Sequence, residues 1–471
     1  MKIEQIYTGC LAHGAYYIES NGEVAIVDPL REVQPYIERA EGNNAQIKYV
    51  LETHFHADFV SGHLDLAKQT GAKIVFGPTA QPNFKAYVAQ DGEELSLGGI
   101  RIKVLHTPGH TMESTCYLVL DEQGRACALF SGDTLFIGDV GRPDLAQKGE
   151  VTKEVLAGHL FDALRTKIMV LPDEVIVYPG HGAGSACGKN MSNETVDTIG
   201  HQKQVNYALR EDMTKQEFVR EVITGLMPPP TYFPKNAAMN RLGYESFSEV
   251  MRRGNTPLSV TAFEAAAHET DALILDTRAP EEFVKGFIRG SVNIGVDGNF
   301  APWAGTLIPD LQQEMLLVTE PGREEEVITR LSRVGYDNVI GFLQGGFPVW
   351  HAAGKDEDTI ECISAPDLAA AMEVGKSMAL IDVRKKSEYD AEHVLNSLNA
   401  PLDHINESMH RINPDKTTYI HCAGGYRSVI FISILKARGY HHLVNVSGGF
   451  KAMKDTGLFP LTDYIAPITM L

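Results

Sequence analysis

The sequence lacks any hydrophobic run of the roughly 18 residues that a membrane-spanning helix needs, so no membrane span is predicted. Its first residues, Met1 to Gln5, also lack the basic start and apolar segment of a secretory signal. Cysteine is scarce, with 6 residues scattered over 471 positions and no dense disulfide framework. These absences predict a protein of a reducing compartment, and the cytoplasm is the expected location.

Basic residues are fewer than acidic ones: the sequence has 42 Lys and Arg residues and 61 Asp and Glu residues, which gives a net charge of -19. General binding to nucleic acids or to anionic membranes needs a basic face, so the sequence predicts neither kind of partner. The remaining composition, 44% hydrophobic and 22% charged, is that of an ordinary globular protein. A chain of 471 residues is expected to hold two to four domains.

In the first half of the chain, short β-type runs are repeatedly followed by histidine or aspartate. The run Ile47–Leu51 leads into Glu-Thr-His-Phe-His-Ala-Asp-Phe, and three later runs lead into His-Thr-Pro-Gly-His, Ser-Gly-Asp and Pro-Gly-His. Six metal-capable side chains follow these four strand ends: His54, His56, Asp58, His110, Asp133 and His181. In a layered α/β or α+β domain such strand ends converge on one rim, which predicts a metal site there.

The residue types alone leave the identity of the metal open. Three histidine ligands would suit zinc, whereas two histidines and one carboxylate with open positions suit non-haem Fe(II). Spacing does not decide between these sets, because His56 could either bind the metal or stand behind the ligands.

At these residues the chain resembles the metallo-β-lactamase superfamily, whose pattern is HxHxDH followed by His, Asp and His on later strands. The resemblance covers residues 1–245 and implies a four-layer αββα sandwich. One position departs from the pattern, since Phe59 stands where a further histidine ligand is expected. Phenylalanine cannot coordinate a metal, so a single metal per chain is expected.

The sequence around these residues is similar to the persulfide dioxygenase branch of that superfamily. The similar strings are Glu52–Phe59, His106–His110, Ser131–Asp133, Gly141–Leu145 and Pro179–Gly188. This resemblance implies one Fe(II) per chain, held by His54, His110 and Asp133. It also implies three supporting groups around the metal: His56, Asp58 and His181.

Two other residues of this half are candidates for a role at the same rim. Arg142, in a Gly-Arg-Pro-Asp string, is either an ordinary surface arginine or a contact for a substrate carboxylate or persulfide. Cys187, flanked by small residues near His181, is either a buried small hydrophobe or a mobile thiol that relays sulfur.

The second half of the chain contains an internal repeat of roughly a hundred residues. Ala-Leu-Ile-Leu-Asp-Thr-Arg at 272–278 matches Ala-Leu-Ile-Asp-Val-Arg at 379–384, and Gly-Gly-Phe at 345–347 matches Gly-Gly-Phe at 448–450. Each copy reads strand, helix, strand, helix, which predicts two small parallel α/β domains at 255–355 and 360–471. The charged segment Gly354–Asp358 is the predicted flexible joint.

The second copy places Cys422 between the run Thr418–Ile420 and an apolar helix. At a strand-to-helix turn, backbone N–H groups and the positive helix end favour a thiolate. The small residues that follow let the loop curl around an anion. The predicted persulfide loop is Ala423, Gly424, Gly425 and Tyr426.

This motif, with Asp-Val-Arg at 382–384 and the Gly-Gly-Phe turn, resembles rhodanese sulfurtransferases. The resemblance implies that Cys422 carries a sulfane sulfur as a persulfide and that Arg427 closes the loop. Counting back from the Gly-Tyr pairs at 335–336 and 439–440 places Val318 opposite Cys422 in the first copy. The segment around Val318 has no thiol, and Glu320 and Glu324 to Glu326 would repel an anion there, so the first copy is predicted to be catalytically silent.

Together these resemblances imply a bifunctional enzyme of sulfur metabolism. A persulfide such as glutathione persulfide would be oxidised with O2 to sulfite and thiol, and Cys422 would move sulfur between persulfide, sulfite and thiosulfate. The alternative is a zinc-dependent thioester hydrolase of the glyoxalase II type fused to a sulfur-relay rhodanese. A homodimer or homotetramer is expected.

Overall fold

The computed structural model describes residues 1–147, 149–373 and 378–465. The chain divides into two compact units, one of Met1–Glu249 with Leu331–Gly335 and one of Val250–Arg330 with Tyr336–Leu471. In the described ranges, no helix is both long enough and apolar enough to cross a membrane. The boundaries predicted for the three domains stay predictions.

The first unit contains two six-stranded sheets, each hydrogen-bonded in chain order. The first sheet consists of β1 (Lys2–Thr8), β2 (His13–Ser20), β3 (Glu23–Val27), β4 (Gln46–Leu51), β5 (Lys73–Phe76) and β6 (Tyr87–Val88). The second sheet consists of β7 (Glu94–Leu97), β8 (Ile100–His106), β9 (Thr115–Leu120), β10 (Ala126–Gly132), β11 (Ile176–Pro179) and β12 (Asp197–Thr198). Strands β3 to β6 run parallel, as do β10 and β11, and the other neighbours are antiparallel.

Helices cover the outer faces of both sheets. They are α1 (Gln34–Gly42), α2 (His63–Thr70), α3 (Lys153–Ala163), α4 (Ile199–Val205) and α5 (Lys215–Ile223). Two further helices follow, α6 (Phe233–Leu242) and α7 (Phe247–Gly254), and α7 begins in the first unit and ends in the second. The alternation of β8 directs Ile100, Ile102 and Val104 into a core between the sheets, where they meet side chains of the first sheet. Leu66 of α2 packs on the outer face of the first sheet and Leu160 of α3 on that of the second. The predicted αββα sandwich is therefore confirmed.

The candidate ligands lie in the loops after β4, β8, β10 and β11, as the strand-end pattern predicted. The register between β10 and β11 shifts between Phe130 and Gly132, directly before Asp133. Such an irregularity re-aims the following side chain, and here it turns the aspartate toward the end of the sandwich.

The second unit contains both copies of the repeat. Its strands are β13 (Pro257–Leu258), β14 (Leu273–Asp276), β15 (Phe287–Ile288), β16 (Val292–Asn293), β17 (Met315–Val318), β18 (Val339–Leu343), β19 (Glu357–Asp358), β20 (Glu361–Ile363), β21 (Ala379–Asp382), β22 (Leu398–Asn399), β23 (Thr418–His421) and β24 (Leu443–Val446). The helices are α8 (Val260–Glu269), α9 (Pro280–Phe283), α10 (Phe300–Leu307), α11 (Glu324–Arg333), α12 (Phe347–Ala352), α13 (Ala365–Glu373), α14 (Lys386–Ala391), α15 (Ile405–Ser408), α16 (Tyr426–Ala437) and α17 (Gly449–Thr456).

The two copies have the same parallel five-stranded topology. The strand order is β13-β18-β17-β14-β16 in the first copy and β20-β24-β23-β21-β22 in the second. The last two residues of the segment predicted as a flexible joint form β19, which pairs antiparallel with β15. Backbone pairing with a neighbouring strand therefore orders part of the link between the copies.

The structure corrects the predicted alignment of the two copies by one residue. Asp276 pairs with Val318 in the first copy, and Asp382 pairs with His421 in the second. Val318 therefore corresponds to His421, and Thr319 takes the place of Cys422. Counting from the Gly-Tyr pairs failed because the first copy is one residue shorter between the strand end and that pair. Thr319 also lacks a thiol, so the first copy is still predicted to be catalytically silent.

Candidate metal centre and cysteine loop

Three buried side chains converge at the end of the sandwich. One ligand atom from each of His54, His110 and Asp133 lies within 4.8 Å of the others. Asp133 Oδ2 is 3.4 Å from His110 Nε2 and 4.0 Å from His54 Nε2. The arrangement has the types and spacing of a metal-ligand set.

Hydrogen bonds behind the histidines determine which ring nitrogen is free. Thr53 Oγ1 donates to Asp28 Oδ2 at 2.8 Å, so it can accept from His54 Nδ1, which lies 3.0 Å away. His110 Nδ1 donates to the carbonyl of Arg142 at 2.9 Å. Both rings therefore carry their proton on Nδ1 and present the lone pair of Nε2 to Asp133. A metal ligand needs this orientation.

The electrostatics of the cluster favour a bound cation. Burial lowers the pKa of His54 well below its ordinary value, and the neighbouring histidines lower it further. Burial likewise lowers the pKa of His110 to about 4, so both rings are neutral at pH 7. Burial raises the pKa of Asp133 well above its ordinary value, and the charge of Asp58 adds to this effect. A bound cation would stabilise the ionised carboxylate of Asp133 and would be held by the neutral rings of His54 and His110, because metal binding displaces the proton.

Asp133 also passes a direct test of fit to a metal. Among the described residues, neither of its buried carboxylate oxygens accepts a hydrogen bond from a nitrogen or oxygen donor. A Cβ on Gly180 would come within 2.7 Å of Asp133 Oδ1, so the backbone approaches the carboxylate closely there. The Cys187 thiol, a weak donor, is hydrogen-bonded to Asp133. A buried carboxylate with so weak a partner is costly, and a metal ion would satisfy it.

A second group lies beside the first. Ligand atoms of His56, Asp58 and His181 also lie within 4.8 Å of one another. His181 Nε2 is 3.4 Å from Asp58 Oδ2 and 3.6 Å from Asp133 Oδ1. The ring of Phe59 is fully buried, and its centroid is 4.4 Å from that of His56. An apolar ring thus occupies the position next to this second group.

Sequence reasoning missed three buried residues around His56. Its Nε2 is 3.1 Å from Asp28 Oδ1 and 3.7 Å from Glu52 Oε2. His13 lies on the other side of Phe59, with ring centroids 4.2 Å apart, and its Nε2 donates to the carbonyl of Asp28 at 2.9 Å. Asp28 directly follows β3, so the strand-end pattern could have identified it. His13 opens β2 and gave no such signal.

The structure places the guanidinium of Arg142 against other groups of the protein. Its Nε and Nη2 donate to the two oxygens of Asp144, each at 2.7 Å, and Nη1 donates to the carbonyl of Ala186 at 3.2 Å. Nη2 also donates to the carbonyl of Met227, and the side chain is 6% exposed. It is therefore not an ordinary surface arginine, and the contact with a substrate stays a prediction. What it supplies to the centre is its carbonyl, which orients His110.

Cys187 lies at the centre itself. Its Sγ belongs to a group with Asp133 and His181 whose ligand atoms are within 4.8 Å of one another. Burial raises the pKa of the thiol well above its ordinary value, and the charges of Asp58 and Asp133 add to this effect. Placement beside the candidate ligands suits a chemical role better than simple packing, and the sulfur relay stays a prediction.

The cysteine loop of the second unit has the geometry predicted for it. Cys422 is buried, and Gly425 N donates to its Sγ at 3.1 Å. Gly425 has a φ of 116°, which a residue with a side chain rarely adopts, and α16 starts at the next residue. The thiol therefore faces the N-terminus of a helix.

The first copy of the repeat supports this loop. Tyr426 OH donates to the carbonyl of Gly295 at 2.7 Å, and a Cβ on Gly298 would overlap the Tyr426 ring. Farther along the helix, Ser433 Oγ accepts from Asn293 N at 3.0 Å. The first copy thus contacts Tyr426, the last residue of the predicted persulfide loop.

Comparison with known proteins places the two halves in families. The metallo-beta-lactamase superfamily profile matches residues 8–181, and the rhodanese-like domain profile matches residues 259–353 and 364–456. A probable hydroxyacylglutathione hydrolase of Schizosaccharomyces pombe is 33% identical over 44% of this chain and 85% of its own length. The chain belongs to the metallo-β-lactamase superfamily.

Other relatives agree with this assignment. Hydroxyacylglutathione hydrolase GloC of Haemophilus influenzae is 30% identical over 35% of this chain and 82% of its own length. A crystal structure of a metallo-beta-lactamase from Staphylococcus aureus subsp. aureus COL matches with 31% identity and a TM-score of 0.64. It covers 73% of this chain and 98% of its own, so the likeness extends beyond the metallo-β-lactamase sandwich into the rhodanese-like part.

In this superfamily member, replacing Phe59 by histidine is expected to raise the metal content from one to two ions per chain. The new imidazole would stand beside His56, Asp58 and His181 and complete a second set of ligands. Metal analysis of the purified protein by mass spectrometry measures the change. Phe59→Leu, which stays apolar, should keep one ion, and equal metal content in both variants would contradict the role given to Phe59.

Proposed function

We propose that the chain is a bifunctional enzyme of sulfur metabolism, with an iron-dependent persulfide dioxygenase centre and a sulfurtransferase loop at Cys422. The observation that carries the proposal is the buried set of His54, His110 and Asp133, with Phe59 beside it in place of a further ligand. Two histidines and one carboxylate leave open positions, which suits Fe(II) and dioxygen chemistry.

The proposed cofactor is one Fe(II) ion per chain, held by His54 Nε2, His110 Nε2 and the Asp133 carboxylate. When bound, ferrous iron would supply open coordination positions at which a persulfide and O2 can react. The proposed substrates are a low-molecular-weight persulfide such as glutathione persulfide and O2, and the products are sulfite and the free thiol.

The chain's own residues hold and insulate this centre. Thr53 and the Arg142 carbonyl keep the protons of His54 and His110 on Nδ1, away from the metal position. His181 Nδ1 donates to the carbonyl of Ala12 at 3.2 Å, so its Nε2 faces Asp58 and Asp133 as an acceptor. A site so deeply buried excludes water, which strengthens each electrostatic contact inside it.

Sulfur transfer would proceed at Cys422 in two steps. The Cys422 thiolate attacks the outer sulfur of a persulfide, the S–S bond breaks, and the electron pair leaves with the released thiolate. Sulfite then attacks the outer sulfur now held on Cys422, and thiosulfate leaves while the Cys422 thiolate is restored. The N–H of Gly425 and the start of α16 stabilise negative charge on sulfur in both steps.

The alternative function, a zinc-dependent thioester hydrolase, is favoured by one specific observation. Relatives of the first half are named hydroxyacylglutathione hydrolases, and this chain keeps a second group of His56, Asp58 and His181 beside the first. Phe59 argues against the two-metal form of such an enzyme because its ring cannot coordinate. In this alternative, Cys422 would serve only to relay sulfur.

Oxygen uptake by protein of known metal content distinguishes the two functions. The full chain loaded with Fe(II) is expected to consume O2 when glutathione persulfide is added and to release sulfite. The same preparation should not hydrolyse a glutathione thioester at a comparable rate. Protein that carries only zinc, consumes no O2 and cleaves the thioester would replace this proposal by the alternative.

A further inference from the structure

Arg427 and Glu388 form an ion pair beside Cys422 that the sulfur-transfer steps do not use. Arg427 Nη1 donates to Glu388 Oε2 at 2.5 Å, and Nη2 donates to Oε1 at 2.8 Å. A guanidinium that meets a carboxylate through two parallel hydrogen bonds makes the strongest contact available to these groups. The side chains are 16% and 36% exposed, so water screens the pair only in part.

Glu388 is held for this contact by its own helix. It lies in the first turn of α14, and the backbone N–H of Lys385 donates to its Oε2 at 3.2 Å. Burial alone would raise the pKa of Glu388, but the hydrogen bonds and charge of Arg427 outweigh burial and lower it. Glu388 is therefore ionised at neutral pH.

The pair decides the charge that the loop presents to a sulfur compound. Arg427 is the single Lys or Arg in the segment 422–428, and it is close enough to Cys422 for their charges to interact. Both Nη atoms of Arg427 are hydrogen-bonded to Glu388. The carboxylate therefore neutralises the guanidinium charge that a substrate at the loop would otherwise meet. Thiosulfate and sulfite are dianions or close to it, so neutralisation of Arg427 reduces their electrostatic attraction to the loop most.

We propose that Glu388 is a specificity-determining residue that neutralises Arg427 and so disfavours dianionic sulfur donors, thiosulfate first, relative to uncharged or singly charged persulfides. The inference rests on the proposed sulfur transfer at Cys422. Its chemical consequence is a loop that accepts sulfur from a persulfide and releases thiosulfate without retaining it.

The first copy of the repeat supplies a matched control. Glu282 occupies the position of Glu388, six residues after the strand-end aspartate in each copy. There it pairs with Lys285 at 2.6 Å and is 55% exposed. Glu282→Gln removes the same charge from the same place in the repeat and leaves the Cys422 loop untouched.

The test measures how fast Cys422 in the full chain gains a sulfur atom from each of two donors. The donors are thiosulfate and the persulfide of 2-mercaptoethanol, and mass spectrometry follows the addition of one sulfur. With thiosulfate, the thiolate takes the outer sulfur and the electron pair of the broken S–S bond leaves with sulfite. Glu388→Gln is expected to raise the second-order rate constant for thiosulfate about tenfold, the equivalent of one charge-assisted contact. The rate with this persulfide, which carries at most one negative charge, should change less than about twofold.

Ionic strength gives a second readout. Transfer of sulfur from thiosulfate to Cys422 in Glu388→Gln should slow as salt rises from low to physiological concentration. The reason is that salt screens the attraction between the Arg427 guanidinium and the thiosulfate dianion. Wild type, Glu282→Gln and the charge-retaining Glu388→Asp should show little salt dependence. Because Glu388→Asp keeps the carboxylate, its comparison with Glu388→Gln also distinguishes the effect of the lost charge from the effect of misfolding.

The outcomes are distinguishable. If Glu388→Gln loads from thiosulfate no faster than wild type, or both donors change equally, Glu388 does not set specificity. If wild-type Cys422 takes sulfur from neither donor, the proposed sulfur transfer itself is wrong.

Discussion

Asp133→Ala is expected to abolish persulfide-dependent oxygen uptake and to leave sulfur transfer at Cys422 unchanged. Asp133 is the one carboxylate in the first ligand group, and both its oxygens lie ready for a cation. Loss of an outer-shell partner alone lowers metal affinity or activity by about 10- to 100-fold. Loss of the anionic ligand itself should exceed about 100-fold. Iron content and oxygen uptake with glutathione persulfide measure the effect.

The variant should fold because its side chain makes little use of the surrounding protein. Asp121→Ala is a suitable control, since Asp121 follows β9 and pairs with Arg125 in the exposed turn before β10. It should retain iron and oxygen uptake. If Asp133→Ala keeps full oxygen uptake, the ligand set of His54, His110 and Asp133 is incorrect.

Cys422→Ser is expected to have the reciprocal effect. A serine hydroxyl cannot hold a sulfane sulfur, so formation of thiosulfate from persulfide and sulfite should fall by on the order of 10³-fold or more, as for other lost nucleophiles. Serine is close to cysteine in size, and Gly425 N can still donate to it. Oxygen uptake and iron content should match those of the wild type.

Cys362→Ser provides the matched control, because Cys362 is an exposed thiol on β20 of the same sheet. It should leave thiosulfate formation unchanged. The two proposed centres are independent only if each variant spares the other activity. Loss of both activities in both Asp133→Ala and Cys422→Ser would contradict the model of two sites.

The sequence predicted the fold and the main cluster well because both depend on local patterns. Alternating apolar residues in β8 and β-type runs ending in His or Asp identify strands and the rim where they end. Parallel neighbours such as β10 and β11 bring their carboxyl ends together, so Asp133 and His181 meet although they are far apart in sequence.

Predictions that needed side-chain contacts were less successful. The sequence did not reveal that Asp144, two residues away, pairs with the Arg142 guanidinium, and the substrate contact of Arg142 stays a prediction. Val318 was aligned with Cys422, whereas strand pairing places Thr319 there. His13 reaches the cluster by packing across Phe59, which no spacing in the sequence reveals. Each case depends on which distant or competing partner a side chain finds.

The contact between Tyr426 and the silent copy has a consequence for how the chain can evolve. Gly298 must remain without a side chain because the Tyr426 ring fills the space where a Cβ would stand. The packing around Tyr426 therefore constrains a residue of the first copy, which has Thr319 at the position equivalent to Cys422. The first copy is thus part of the packing around the Cys422 loop, and deleting it would remove the groups that contact Tyr426.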